Sequence, residues 1–192
     1  MSNFIEELKA RRSQYVLTSE SPVSDQEIVK TVEDVTVQVP SAFNSQPQRA
    51  VVLFGDANQK LWNIVKETLR KVVSDDEAFK ATEAKINAFA AGHGTVLFYD
   101  DTDVTKQLQK NFPTYAANFP GFARDAAGML QLAVWTALAE KGLGASLQHY
   151  NPLIDEPPNS VCRPAGCCRR RCRSAPSPRP RLRLTSSRLT PA

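Results

Sequence analysis

The first 156 residues of this 192-residue chain contain no cysteine, so disulfide bridges cannot stabilise them. A chain of this length can instead bury a sizeable hydrophobic core. No apolar run approaches the ~20 residues of a membrane-spanning helix. The amino-terminal residues have the pattern of a charged amphipathic helix rather than a secretion signal. We therefore expect a cytoplasmic protein without a membrane partner.

Familiar nucleotide and hydrolase motifs are also missing. The sequence has no GxGxxG, no P-loop and no G-x-S-x-G. These absences argue against a Rossmann dinucleotide site, a P-loop NTPase and an α/β-hydrolase. Any chemistry must be carried by less familiar combinations of residues.

Charge is distributed unevenly along the chain. Residues 1–156 carry 15 basic and 20 acidic side chains, whereas residues 157–192 carry nine arginines and no acid. The last 36 residues also hold all four cysteines and 7 of the 13 prolines. This break predicts a folded domain over 1–156 and an Arg/Pro/Cys-rich tail over 157–192 that resists burial. The basic pI of about 8.9 reflects the tail, which lacks aromatic residues or a recognisable module, so we expect no nucleic-acid partner.

Periodicity predicts alternating helices and strands in the first region. Capping-box spacing at Asn3, Ser24 and Ser74 marks helix starts. Apolar spacing predicts helices over 3–14, 24–39, 61–72, 74–89, 104–112 and 121–140, and buried strands over 50–54, 95–99 and 145–150. Small residues in the 121–140 helix would allow close packing, and Gly142 suits a left-handed helix end. The order predicts an α/β fold with one sheet packed by helices.

Three polar stretches, at 11–17, 40–49 and 142–152, are candidates for a ligand site. Arg11 and Arg12 with Ser13 could bind a phosphate, although two arginines also favourably end a helix. The amides and hydroxyls of 41–46 suit the edge of a heteroaromatic ring, although such residues are common in loops. Gly142 and Gly144 precede Gln148 and His149, whose imidazole could be a general acid or a structural hydrogen-bonding group.

No metal site is predicted. Asp100, Asp101 and Asp103 fit a strand end and a helix start better than a set of metal ligands. His93, between two glycines, fits a solvated turn. The four cysteines, at 162, 167, 168 and 172, lack paired CxxC spacing.

Together the polar and apolar segments resemble the nitroreductase family of FMN flavoproteins, in its short bacterial and fungal Frm2/CinD-like branch. The resemblance covers nearly all of 1–156, and its ordered set is more specific than any single segment. The matching segments read RRSQYVLTSESPVSD, VQVPSAFNSQPQRAVVLFG, KINAFAAGHGTVLFYDD, NFPTYAANFPGF and LAEKGLGASLQHYNPLID.

The resemblance implies an α+β nitroreductase-like fold with a central, mixed, mostly antiparallel sheet, and a homodimer with FMN at the subunit interface. Arg11 and Ser13 would hold the phosphate and ribityl chain, supported by Arg12 and Tyr15. The other implied FMN-binding residues are Ser41, Asn44 and Gln46 in a loop crossing the interface, Lys85 near the pyrimidine side of the ring, and Leu147, Gln148 and His149 beside its reactive edge.

The implied activity is a ping-pong oxidoreductase. NAD(P)H would reduce FMN and leave, and a nitroaromatic or quinone would then take the electrons in the same pocket. No side chain is assigned as a catalytic acid or base, because the cofactor carries the redox chemistry. The alternative is a flavin-binding stress or regulatory protein with little turnover.

The tail departs from the family pattern after residue 156. The resemblance predicts a further helix, a strand segment and a basic residue near the FMN phosphate, none of which appears. The switch in composition suggests a frameshift product of a GC-rich gene. Loss of the family's usual C-terminal segment would expose a strand edge and weaken dimerisation or FMN binding.

Overall fold

The computed structural model describes residues 3–151 and 154, all within one unit of the chain, Met1–Asp155. The predictions about the tail, residues 157–192, lie outside these residues. The described helices are α1 Phe4–Ala10, α2 Asp25–Gln38, α3 Gly55–Val72, α4 Asp76–Ala90, α5 Thr102–Asn111 and α6 Phe119–Glu140. The strands are β1 Gln48–Phe54 and β2 Gly94–Asp100, and short 3₁₀ turns occupy Ala42–Asn44 and Pro113–Tyr115. This order confirms the predicted mixture of helices and strands.

The two strands form an antiparallel pair, with Gln48 opposite Asp100 and Phe54 opposite Gly94. Glycine is required at 94, because a Cβ there would lie 2.6 Å from the carbonyl oxygen of Leu53. A parallel bridge between Ser13 and Ala145 is the described pairing outside this sheet. The arrangement agrees with the predicted mixed, mostly antiparallel sheet.

The predicted third strand over 145–150 is wrong within the described residues. Ala145 pairs with Ser13, and its carbonyl accepts the Gln14 N–H at 3.0 Å, but residues 146–150 carry no strand assignment. A strand needs a hydrogen-bonded neighbour along its length. The described chain provides that neighbour at one position only.

Helix α6 lies at the centre of the main core. Its buried Leu130, Val134 and Leu138 pack with Ile28 and Val32 of α2. Partly buried side chains of both strands cover the same cluster. Burial of this apolar surface is the main force that holds α2, α6 and the sheet together.

A second cluster joins α3 to α4. Trp62 and Val65 of α3 pack against Ile86 and Phe89 of α4. Partly buried Leu17, Tyr150 and Ile154 cover this cluster. The segments that follow α1 and α6 are therefore attached to the same pair of helices.

Helix ends show which capping predictions hold. The Ser24 hydroxyl accepts the Glu27 N–H at 3.2 Å, as the sequence predicts. The predicted cap at Ser74 is wrong, because the neighbouring Asp75 carboxylate accepts the Ala78 N–H at 2.7 Å and starts α4 one residue later. Helix α1 ends four residues early, since Arg11 is already extended. Gly142 has φ +80°, which confirms its predicted left-handed conformation.

None of the described helices combines the length and apolar composition needed to cross a lipid bilayer.

Candidate functional site

The two arginines after α1 have different surroundings. The Nη1 of Arg12 donates to the carbonyl oxygens of Leu8, at 3.3 Å, and Arg11, at 2.8 Å, so it satisfies carbonyls at the end of α1. The half-buried Arg11 instead places its Cζ 4.3 Å from the centre of the Trp135 ring in α6. Its Nε is buried and has no hydrogen-bond partner within the described residues. Arg12 is therefore occupied by the fold, whereas Arg11 keeps an unused donor.

The glycine-containing turn at residues 142–145 packs against the segment that follows α1. A Cβ on Gly144 would lie 2.9 Å from Cγ of Gln14, so the close approach of the two segments requires glycine there. The bridge from Ser13 to Ala145 fixes their relative position and leaves the Ser13 side chain exposed. We call Arg11, Ser13, Trp135 and the turn 142–145 the arginine site.

The segment after this turn contains three predicted flavin contacts. Leu147 and Gln148 are half-buried and His149 is exposed. The Gln148 amide donates to the Ser146 hydroxyl at 2.8 Å, a contact within the segment. Tyr150 then packs edge-on against Trp62 at 5.9 Å, and burial raises the pKa of its phenol. Tyr150 thus anchors the segment to the second cluster.

Tyr15 and Lys85 come together at Phe89. The Tyr15 ring lies 6.5 Å from the Phe89 ring, and the Lys85 Nζ lies 6.0 Å from the same ring. Both side chains are exposed. The structure therefore connects Lys85, which the sequence places far from residues 11–15, to the surroundings of the arginine site.

Several polar groups of the loop 41–46 form hydrogen bonds within the loop or to the neighbouring Arg49. The Ser41 hydroxyl accepts the Gln46 N–H at 2.7 Å, and the Gln46 carbonyl accepts from Nη1 of Arg49 at 2.7 Å. Arg49 also forms an ion pair with Asp101 at 2.9 Å. Phe43, Asn44 and Gln46 have φ between 50° and 57°, a conformation that this hydrogen bonding must sustain.

Aromatic rings surround this loop, and none of them belongs to the predicted flavin-binding residues. Phe43 is 53% exposed and packs on Phe112 at 4.8 Å, Phe119 at 5.5 Å and Tyr115 at 6.4 Å. We call the loop 41–46 with Phe112, Tyr115 and Phe119 the aromatic site. The segment NFPTYAANFPGF carries the only sequence signal for it, a local concentration of aromatic residues.

The arginine and aromatic sites lie at opposite ends of α6. Phe119 and Trp135 are sixteen residues apart in that helix, which corresponds to about 24 Å along its axis. The structure brings residues 11–15, Lys85 and 145–149 into one region. It does not bring Ser41, Asn44 and Gln46 into that region within one chain.

The acidic residues after β2 have structural roles. The Asp101 carboxylate accepts the Asp103 N–H at 3.2 Å at the start of α5, besides pairing with Arg49. Burial, reinforced by the neighbouring Asp101, raises the pKa of Asp100. Over residues 3–151 and 154 no group of three or more histidine, cysteine or acidic side chains could hold a metal ion.

His93 lies in the predicted turn, but its ring is not left to the solvent. Nδ1 lies 2.8 Å from the Ser19 carbonyl oxygen and Nε2 lies 2.7 Å from Oδ1 of Asp25. The hydrogen bond to Ser19, then that to Asp25, raises the pKa of His93. Both ring nitrogens face acceptors, so the protonated ring fits this position best.

Comparison with known proteins gives one consistent result. The nitroreductase family profile matches residues 8–163. Nitroreductase FRM2 of Saccharomyces cerevisiae is 36% identical over 154 residues, which cover 79% of this chain and 76% of FRM2. The structure of nitroreductase CinD from Lactococcus lactis with chloramphenicol superposes with a TM-score of 0.70 at 44% identity, covering 80% of this chain and 77% of CinD. The structure of CinD with 4-nitrophenol superposes with a TM-score of 0.69 at 45% sequence identity, again covering 80% of this chain and 77% of CinD.

Proposed function

Because this chain belongs to the nitroreductase family, whose membership supports a flavin-dependent oxidoreductase activity, we propose that it is an FMN-dependent enzyme. It would pass electrons from NAD(P)H to nitroaromatic or quinone acceptors. The observation that carries the proposal is Arg11, a half-buried cation with an unpartnered Nε beside a glycine turn. Nε itself is closed to solvent, so a bound anion would be held through the other N–H groups of this half-buried guanidinium.

The arginine site suits a phosphate monoester. A guanidinium offers donors in a planar fork that matches phosphate oxygens, and the exposed Ser13 hydroxyl adds a donor nearby. Arg12 would add positive charge while its Nη1 continues to cap α1. These residues fit the phosphate of FMN, and an uncharged flavin would leave Arg11 unpartnered.

The neighbouring surface suits the rest of the flavin. Tyr15 and Lys85 present an aromatic edge and a cation around Phe89, and Leu147, Gln148 and His149 follow the glycine turn. When bound, the flavin supplies the two-electron redox chemistry, and we propose that donor and acceptor use it in turn, in ping-pong order. The chain's own residues bind the cofactor, orient it and shield it from water.

A homodimer would unite the two sites. The loop that carries Ser41, Asn44 and Gln46 packs on Phe119, which lies about 24 Å along α6 from Trp135, so it would not reach the arginine site of its own chain. A two-fold axis would place the aromatic site of one copy beside the arginine site of the other. The exposed ring of Phe43 offers apolar surface for such a contact. Each dimer would then contain two equivalent flavin sites.

Two observations support an aromatic compound as the electron acceptor: the ligands seen with CinD and the exposed rings of the aromatic site. CinD is seen with 4-nitrophenol and with chloramphenicol. In this chain, Phe43, Phe112 and Tyr115 are partly exposed and could stack on a planar acceptor at the dimer interface. Comparing the turnover of nitroaromatics with that of quinones would show which class of acceptor the enzyme prefers.

The first experiment compares the two arginines. Purified protein should be yellow, bind FMN and oxidise NAD(P)H when a nitroaromatic or quinone is added. Arg11→Met should weaken FMN binding by about tenfold to a hundredfold, because it removes charged hydrogen bonds worth about 1.5–3 kcal/mol. Arg12→Met is the matched control and should have a smaller effect. A well-folded protein that refuses FMN would contradict the proposal.

A second experiment tests the shared site. Arg11→Met and Asn44→Asp variants, each impaired as a homodimer, are mixed, dissociated and allowed to reassociate. A mixed dimer contains one intact site, so about a quarter of the wild-type sites should return. Recovery should be absent when either variant is treated alone. No recovery in demonstrable mixed dimers would show that Asn44 and Arg11 act on the same chain's flavin.

The alternative, a flavin-binding stress or regulatory protein, uses the same residues. It predicts FMN binding with negligible NAD(P)H oxidation for every acceptor tried. Steady-state kinetics on the FMN-loaded protein separates the two.

A further inference from the structure

We propose that Trp135 is a positioning residue that holds the Arg11 guanidinium for a phosphate and so sets a preference for FMN over riboflavin. The inference rests on the proposed function and extends it to a residue that the sequence did not single out. Trp135 lies in the last two turns of α6, and Arg11 ends α1. The Arg11 Cζ lies 4.3 Å from the indole centre, well within the range of cation–π contacts.

The stack determines how Arg11 can meet a ligand. A guanidinium lying over an indole has one face covered, so its N–H groups other than the buried Nε–H remain available around its edge. The contact also limits the rotamers of a long side chain, so less entropy is lost when a ligand binds. Trp135 would therefore orient the donor fork before the phosphate arrives.

A second observation supports the same position. The Nε1 of Trp135, like the Nε of Arg11, is buried and has no hydrogen-bond partner among the residues that the structure describes. Only three buried side-chain polar atoms of the described chain share this property, and two of them belong to this stacked pair. Buried donors almost always have partners, so two unsatisfied donors in one contact are a local cost of the kind found at functional positions.

Arg12 shows that the stack is specific to its neighbour. Arg12 is exposed, and its Nη1 is bonded to backbone carbonyls. It therefore gives the contrast needed for the test. A general gain or loss of positive charge would affect both arginines, whereas positioning by Trp135 acts through Arg11 alone.

The test measures the affinities for FMN and for riboflavin, which lacks the phosphate, by quenching of flavin fluorescence. Trp135→Leu should weaken FMN binding about tenfold and leave riboflavin binding unchanged. Trp135→Phe keeps an aromatic face and should retain most of the FMN affinity. In an Arg11→Met background, Trp135→Leu should have no further effect on FMN binding, whereas in an Arg12→Met background its full effect should remain.

Several results would overturn the inference. An unchanged ratio of FMN to riboflavin affinity in Trp135→Leu would do so, as would equal losses for Leu and Phe. If Trp135→Leu does not fold, the Trp135→Phe variant in the Arg11→Met and Arg12→Met backgrounds decides the question, because it should weaken FMN binding slightly in the second background only. If the wild-type protein binds neither flavin, the proposed function itself fails. If it binds both equally well, FMN recognition through Arg11 fails while flavin binding survives.

Discussion

The two ends of α6 carry polar groups of opposite character. At the arginine site the buried donors of Arg11 and Trp135 lack partners within the described chain. At the aromatic site Ser41, Gln46 and Arg49 satisfy one another and hold a loop whose exposed surface is largely aromatic. We propose that the first end binds an anion and that the second makes apolar contacts with a partner subunit.

This difference shows how to judge polar residues in a sequence. A hydroxyl or amide in a loop often bonds to the backbone nearby, as Ser41 does to Gln46. Such a group already has a partner and gains less from a ligand than a donor that the fold leaves unsatisfied. Of the three predicted residues in the loop, Ser41 uses its side chain in a hydrogen bond, whereas the side chains of Asn44 and Gln46 are exposed.

The largest expected effect is at the aromatic site, in its packing. Phe119 is 1% exposed and contacts Phe43, Phe112 and Phe122. Phe119→Ala should lower the free energy of unfolding by about 3–5 kcal/mol, because it removes a buried ring and leaves a cavity. Urea denaturation followed by circular dichroism measures the change.

Tyr115→Ala is the control at the same site. Tyr115 is 51% exposed, so its removal should cost less than about 1 kcal/mol. Similar losses for the two variants would mean that Phe119 does not hold the aromatic site together.

A smaller effect is expected from the ion pair below the loop. Arg49 bonds to Asp101 and to the carbonyls of Gln46 and Gln48, and both charged groups are about two-thirds buried. Arg49→Met should lower the free energy of unfolding by about 1–3 kcal/mol, since charged hydrogen bonds are lost around a partly buried carboxylate. It should also speed proteolysis within residues 41–47.

Lys30→Met is the matched control, because Lys30 and Asp34 form a well-exposed pair. Exposed pairs contribute about 0–1 kcal/mol, so this variant should be nearly neutral and should leave proteolysis of the loop unchanged. An equally small effect of Arg49→Met would show that the loop does not depend on its ion pair.

The smallest expected effect is the pH dependence of stability that His93 gives through its bonds to Ser19 and Asp25. The pKa of His93 is raised above 6.5 by its bonds to Ser19 and Asp25. The stability that these bonds give is therefore fully present below pH 6.5 and is lost as pH rises through the folded-state pKa. Urea midpoints measured from pH 5.5 to 8.5 should fall across that window.

His93→Gln should flatten this part of the pH profile, because the substituted side chain does not titrate. An unchanged slope in the variant would assign the pH dependence to another group.

Much of the fold could be predicted from the sequence. Apolar spacing located α2 through α6 and both strands of the sheet, because burial on one helix face or in a paired strand repeats with a fixed period. Local chemistry identified the cap at Ser24 and the left-handed Gly142. The family resemblance added the flavin-site residues. For Arg11 and Arg12, the residues alone left open the choice between binding a phosphate and ending a helix.

The errors have a common physical origin. The segment 145–150 has a strand pattern, but only Ala145 has a described partner. Ser74 and Asp75 are both competent caps, and the backbone decides between them. His93 looked solvent-facing because its partners, Ser19 and Asp25, are about seventy residues away in the chain. None of these outcomes can be read from neighbouring residues.

The sequence by itself determined the periodic elements, the glycine turn and the family, because each depends on residue types at fixed spacing. Only the tertiary structure decided which polar groups were used. Arg11 and Arg12 are the same residue in adjacent positions, yet one caps α1 and the other stacks on Trp135 with a buried donor left over. Hydrogen-bond satisfaction depends on distances between segments far apart in the chain, and folding alone sets those distances.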